Sequence, residues 1–217
     1  MNTEFARQQM IEQQVRAWEV LDPRVLEAMA RVPRERFVPE AFRAAAFADT
    51  FVPLPCGQSM LKPALEGRIL QAIDVQPGER VLEFGTGSGF FAACMAAMGG
   101  TVRTVDIHPE LTAFAQSNLR GTGYGAVTAV TADATAWSER ETFDVVVLTA
   151  SLPEYDDRWQ RLLTIGRGRL FAVVGQGPAM EATLVVRSGE RQFARTGLFE
   201  TAIDPLEHAK RPSPFVF

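Results

Sequence analysis

The sequence predicts an α/β fold whose sheet is mostly parallel and ends in an antiparallel pair. Three observations carry this. Between residues 80 and 175, short apolar runs alternate with helix-like segments, the pattern of strands joined by right-handed helical crossovers. The run "FDVVVLTA" (143–150) has almost no polar interruption, as a strand covered on both faces requires. Near the end, "EATLVVRS" (181–188) and "QFARTGLFETAI" (192–203) are separated only by Gly189-Glu190-Arg191, enough for a hairpin turn and too little for a helix.

From the N-terminus, "TEFARQQMIEQQVRAW" places Ile11, Val15 and Trp18 on one face of a helix with Thr3 as its candidate N-cap. Asp22-Pro23 reads as a cap followed by proline at the first helical position. Val25, Leu26, Met29 and Ala30 then give an apolar stripe that Pro33 stops. Residues 34–55 are broken by prolines and are expected to wrap over their neighbours. Helical spacing resumes over 63–73 through Leu65, Ile69, Leu70 and Ile73. Strands are predicted over 80–85, 101–107, 126–133, 143–150 and 168–175, and helices over 90–98, 109–119 and 155–163. The expected organisation is one domain, with residues 1–75 as a helical extension and residues 76–217 as the sheet.

Composition narrows the function classes. A content of 47% hydrophobic and 22% charged residues predicts a soluble globular chain rather than a disordered one. The net charge of -4 gives no electrostatic case for nucleic acid or an anionic membrane. No apolar run approaches the roughly 18 residues of a membrane span, and the start "MNTEFARQQMIEQQ" lacks a signal-peptide core. Cys56 and Cys94 lie far apart, make no metal-type spacing, and predict free thiols in a cytoplasmic protein. His108 and His208 read as loop residues without a visible partner, and Trp18, Trp137 and Trp159 as packing.

The chemistry concentrates in "EFGTGSGFF" (83–91). Gly85, Gly87 and Gly89 stand at a strand-to-helix junction, where the missing Cβ lets a turn tighten and a ligand lie against main chain. The spacing is tighter than the G-x-G-x-x-G of dinucleotide sites. A carboxylate just before it, Glu83, suits a ligand with a positive end better than a pyrophosphate. The plain alternative is a tight turn that binds nothing. Asp106 closes the second strand about twenty residues on, where an acid can hold both ribose hydroxyls. Asp133 ends the third strand, where it can accept from an exocyclic amine such as adenine's. Each of these acids also reads as a helix cap.

Together, "VLEFGTGSGF", "VDIHPEL", "TADA" and "FDVVVLTASLPE" resemble the class I S-adenosylmethionine-dependent methyltransferases. With "VPRERFVPE" and the "GQ" loop before Pro63, the chain resembles the protein-L-isoaspartate O-methyltransferase family over nearly its whole length. The resemblance implies a Rossmann-like, seven-stranded sheet with helices on both faces, a protein or peptide carboxylate as acceptor, and S-adenosyl-L-methionine as cofactor. It implies that Glu83, Gly85, Thr86, Gly87 and Gly89 line the methionine and ribose end. Asp106 and Ile107 would hold the ribose, Asp133 and Ala134 would meet the adenine, and Thr149 would border the same site.

One loop departs from the family. "GQSMLKP" (57–63) aligns with G-Q-T-I-S-x-P, so that Leu61 stands where the family carries a serine thought to hold the substrate carboxylate. Leucine cannot donate that bond. The acceptor side of the site is then Ser59, Leu61 and Lys62, with Ser59 or Lys62 as replacement donors. Methyl transfer to a carboxylate tolerates this, because an ionised carboxylate is already a nucleophile near neutral pH. Three functions remain open: isoaspartyl repair, methylation of another acceptor such as a small molecule, or cofactor binding without transfer.

Overall fold

The computed structural model describes residues 3–138 and 141–210. Helix α1 (Thr3–Met10) runs on as a wide π turn over Ile11–Val15 and a tight 3-10 turn over Arg16–Trp18. The change of pitch rotates the later residues about the helix axis. Ile11 and Val15 are buried as expected, but Trp18 leaves their face and is 41% exposed. Helix α2 (Pro23–Arg31) begins as its sequence predicts: Asp22 accepts the Arg24 N–H at 2.8 Å, and Pro23 opens the helix. The proline-broken stretch forms 3-10 turns over Arg34–Arg36 and Glu40–Ala45. A short hairpin comes next, β1 (Val52–Pro53) against β2 (Ser59–Met60), and then α3 (Pro63–Ile73).

The main sheet comprises β3 (Arg80–Phe84), β4 (Thr101–Asp106), β5 (Thr128–Thr131), β6 (Val145–Leu152), β7 (Arg169–Gln176), β8 (Ala179–Arg187) and β9 (Phe193–Thr201). Helix α4 (Phe90–Ala97) joins β3 to β4, and α5 (Pro109–Gly121) joins β4 to β5. The strand order is β5-β4-β3-β6-β7-β8-β9, parallel through β7 and antiparallel in the final two pairings. The chain winds outward from β3 to β5 and returns to β6. The crevice at the carboxyl ends of β3 and β6 is therefore a topological switch point, where open α/β sheets place ligands.

The two faces are covered unequally. On one, Val81, Val145, Val147 and Phe171 pack under α3, α4 and α5, in a core that extends into the N-terminal helices. On the other, Leu82, Phe84, Val146 and Leu148 are covered by Trp159 and Leu163 and by 3-10 turns at Ala134–Ala136 and Trp159–Leu162. The helix predicted over 155–163 shrinks to that last turn. Asp156 accepts the Arg158 N–H at 3.0 Å, a local bond that competes with helix formation. Phe84 takes edge-on contacts from Trp137 at 5.5 Å and Trp159 at 5.1 Å. Among the described residues no helix is long and apolar enough to cross a membrane. Residues 211–217 of the C-terminal tail lie outside the described residues.

Candidate active site

A cleft of about 730 Å³, counting its open mouth, lies at the switch point. The three glycines of the β3–α4 turn all have positive φ (102°, 51° and 84°) but serve different ends. A Cβ on Gly85 would collide with Thr149 Oγ1. Thr149 lies where the β6–β7 register slips between Val147 and Ser151. Its hydroxyl donates to the carbonyls of Phe84 and Gly85 at 3.0 and 2.8 Å. Such a bulge re-aims a side chain beside a site. Gly87 borders the cleft, and a Cβ there would meet only Leu54, at 3.3 Å. Gly89 lets α5 approach, since its Cβ would press on Ala115 at 3.1 Å.

Asp106 stands at the end of β4 and is 7% exposed. Its Oδ2 accepts the Gly87 N–H and its Oδ1 the His108 N–H, both at 3.0 Å. Each oxygen keeps a lone pair for a hydroxyl in the cleft. Glu83, on β3, is fully buried, and neither carboxylate oxygen has a hydrogen-bond partner. Burial, reinforced by the charges of Asp106 and Glu66, pushes its carboxyl up to about 8. Nearby Thr104 only partly offsets this. The Thr104 hydroxyl is itself engaged with Thr86 at 2.7 Å. A buried carboxyl left without a partner is costly, and a cationic ligand would relieve it.

Asp133 is held differently. Its Oδ1 accepts both the N–H and the hydroxyl of Thr135 at 2.7 Å, and its Oδ2 meets His208 Nδ1 at 2.8 Å. Desolvation works to raise its carboxyl, but these bonds outweigh it and leave the group below its usual range. The same pairing raises His208.

The loop of residues 57–63 forms the opposite wall. Met60 and Leu61 are buried in the main core, at 4% and 8% exposure. The Leu61 carbonyl accepts from fully buried Arg34 at 2.7 Å. Arg34 also donates to Ala46 O at 2.8 Å, is paired with buried Glu66, and lies over the Phe90 ring at 4.7 Å. Burial lifts the Glu66 carboxyl to about 7 despite that partner. The loop is therefore pinned from beneath.

A third segment borders the mouth. After β9 the chain returns to the end of β6, where the Ser151 N–H donates to Asp204 O and the Leu206 N–H to Ser151 O, both at 2.8 Å. Glu207 accepts from Gln58 at 2.7 Å and meets His108 Nε2 at 2.7 Å. This strap, with Asp204, Leu206 and Glu207 on the cleft wall, has no signature in the sequence. Its histidine–acid pairs join residues 75 and 99 positions apart.

Ser59, Leu61, Gly85, Gly87, Asp106, Ile107, Asp133, Ala134 and Thr149 all border the cleft. Glu83 and Thr86 border a smaller recess beneath the same loop. Gly89 borders neither, and Lys62 faces a neighbouring groove.

A mostly parallel sheet with a glycine turn after its first strand and acids at the ends of the next two defines a Rossmann-like α/β protein, and the family model it matches is one of methyltransferases. The family model described as protein-L-isoaspartate(D-aspartate) O-methyltransferase matches residues 5–208. A Koribacter versatilis protein-L-isoaspartate O-methyltransferase is 36% identical over 201 residues, covering 92% of this chain and 90% of the relative. One from Paracoccus denitrificans is 38% identical over 188 residues, covering 86% and 87%. A Plasmodium falciparum crystal structure, described as a protein-L-isoaspartate O-methyltransferase in complex with S-adenosyl-L-homocysteine, superposes with a TM-score of 0.81 at 19% identity. It covers 95% of this chain and 99% of that one. The chain belongs to the protein-L-isoaspartate O-methyltransferase family.

Proposed function

We propose that this protein transfers a methyl group from S-adenosyl-L-methionine to the isoaspartyl carboxylate of a damaged protein or peptide. The observation that carries the donor half is Glu83, buried at the recess that continues the cleft floor beneath the loop of residues 57–63, with both oxygens unpartnered. A donor with a cationic amino-acid end and a ribose matches Glu83 and Asp106 together. When bound, S-adenosyl-L-methionine supplies an electrophilic methyl on a positively charged sulfur.

In this assignment Glu83, Gly85, Thr86 and Gly87 receive the methionine end, with Gly89 holding the turn. Asp106 and Ile107 receive the ribose, Asp133 and Ala134 the adenine, and Thr149 braces the floor. Ser59 offers a hydroxyl on the acceptor wall, and Leu61 shapes and dries it. Such alignment and water exclusion contribute as much as roughly 7–11 kcal/mol in favourable cases. No general base is required, because the acceptor carboxylate is ionised. Lys62 lies over the Phe51 ring at 5.2 Å, beside the cleft, where it can meet an arriving substrate. Residues 1–75 supply the acceptor wall and residues 76–217 the donor floor of one domain. The free thiols of Cys56 and Cys94 accord with a cytoplasmic setting.

The test is methyl incorporation from labelled S-adenosyl-L-methionine into an isoaspartyl peptide and its aspartyl twin, with calorimetry of donor binding alongside. Ester formation on the isoaspartyl peptide alone is expected. Tight donor binding without it would redirect the assignment to another acceptor, or to binding without transfer.

A further inference from the structure

Beside the cleft lies a groove of about 670 Å³, counting its open mouth, bordered by Trp18, Asp49, Phe51, Lys62 and Glu200. Its walls continue those of the cleft. Phe51 borders both, Lys62 comes directly after Leu61, and the chain from Glu200 to Ala202 runs on into the strap. Because Phe51 borders both spaces, a peptide that presents its isoaspartyl carboxylate in the cleft has the groove beside it for an adjoining residue. Trp18 and Phe51 offer apolar surface there, and Trp18 is partly open to solvent. Asp49 and Glu200 are exposed and form no ion pair among the described residues. The Lys62 ammonium rests on the Phe51 ring. Asp204 and Glu207 extend the acidic surface along the cleft wall.

We propose that this groove receives the residue adjoining the methylated isoaspartyl and favours lysine or arginine there. This rests on the acceptor assignment above. The aromatic walls suit the methylene stem of such a side chain, and the two carboxylates suit its charged head. Exposed ion pairs contribute modestly, so two of them support a preference of about fivefold rather than an absolute requirement.

The experiment compares isoaspartyl peptides that differ only in lysine or glutamate beside the isoaspartyl. A kcat/KM about fivefold higher for the lysine peptide is expected at low salt. The gap should close to within about twofold at high salt and in Asp49→Asn/Glu200→Gln. Equal rates in the unmodified protein, or a preference that survives the double substitution, overturn the proposal. Calorimetry of both peptides against the protein loaded with S-adenosyl-L-homocysteine makes the same comparison without turnover. If neither peptide is methylated, the acceptor assignment falls while binding still decides the groove. Failure of both peptides to bind overturns the groove as well. A change of oligomeric state in the double variant would make this face a contact between copies instead.

Discussion

The floor and the roof of the cleft are built on opposite terms. The floor keeps a buried carboxyl with no partner, bare main chain at positive φ, and an aspartate whose oxygens are only half used. The roof, residues 57–63, is satisfied: its apolar side chains lie in the core, and Arg34 holds the Leu61 carbonyl. A region that tolerates unmet polar groups is held ready for a ligand. A region without them is a wall. The donor should therefore bind to something already shaped for it, and acceptor preference should depend on which side chains the wall presents.

The sharpest way to break this contrast is Glu83→Gln. Removing the charge should weaken S-adenosyl-L-methionine binding about 30-fold by calorimetry, since a bond to a charged group contributes about 1.5–3 kcal/mol. The ligand-free protein should respond in the opposite sense. The folded-state carboxyl sits near 8 against an ordinary 4.5, so the folded state holds a proton that the unfolded chain has released. Stability is lost as pH rises between those values. The variant should escape that loss, gaining on the order of 3–4 kcal/mol relative to the parent between pH 5 and pH 8. Thermal melts at the two pH values read the gain. Unchanged donor affinity would show that the floor's unmet carboxyl is not part of the site.

Leu61→Ser tests the roof. It restores a hydroxyl where the resemblance places one, in a segment whose backbone Arg34 holds fixed. If a charge-assisted bond to the acceptor is regained, kcat/KM on an isoaspartyl peptide should rise about tenfold. The change also removes a side chain that is 8% exposed and part of the core, at a cost of about 2 kcal/mol. Faster turnover in a less stable protein is the expected signature. Lower stability with no gain in rate would mean that the wall serves a different acceptor.

Much of the floor was legible because its signals are local. Strands β3 and β6 are apolar runs, β4 is rich in β-branched residues, α3 falls on residues 63–73 as its spacing predicts, and the glycines and acids sit at strand ends. Less legible was whatever depends on distant partners. Gly85 is required by Thr149, 64 positions away, and only the bulge in β6 brings them together. Leu61 could be read as departing from the family, but its burial and its tie to Arg34 required the fold. The histidines looked partnerless because each finds its acid through the strap, whose sequence has no strand or helix pattern. The short helix lost at 155–163 failed for a local reason, Asp156 bonding its own neighbour's backbone.

That strap spans the contrast, and the smallest effect is expected there. Glu207 ties it to Gln58 on the roof, while His208 ties it to Asp133 on the floor, at the place assigned to adenine. His208 is largely exposed, so its hold is weak. Its imidazole faces Asp133 and Glu207, and the bond to Asp133 raises it above its ordinary 6.5. The ion pair is therefore complete below that value and fades as pH rises through the raised one. While it lasts, it takes one lone pair of the oxygen that an exocyclic amine would use and draws off part of its charge. His208→Ala should then tighten donor binding about twofold at pH 6 and leave it nearly unchanged at pH 8.5, because only the protonated ring competes strongly. Glu83 titrates alike in both proteins, and whatever its ionisation does to donor affinity is common to them, so the difference between them isolates the strap. Weaker binding in the variant at pH 6 would reverse the conclusion, making His208 a clasp that holds the donor in rather than a competitor for its site.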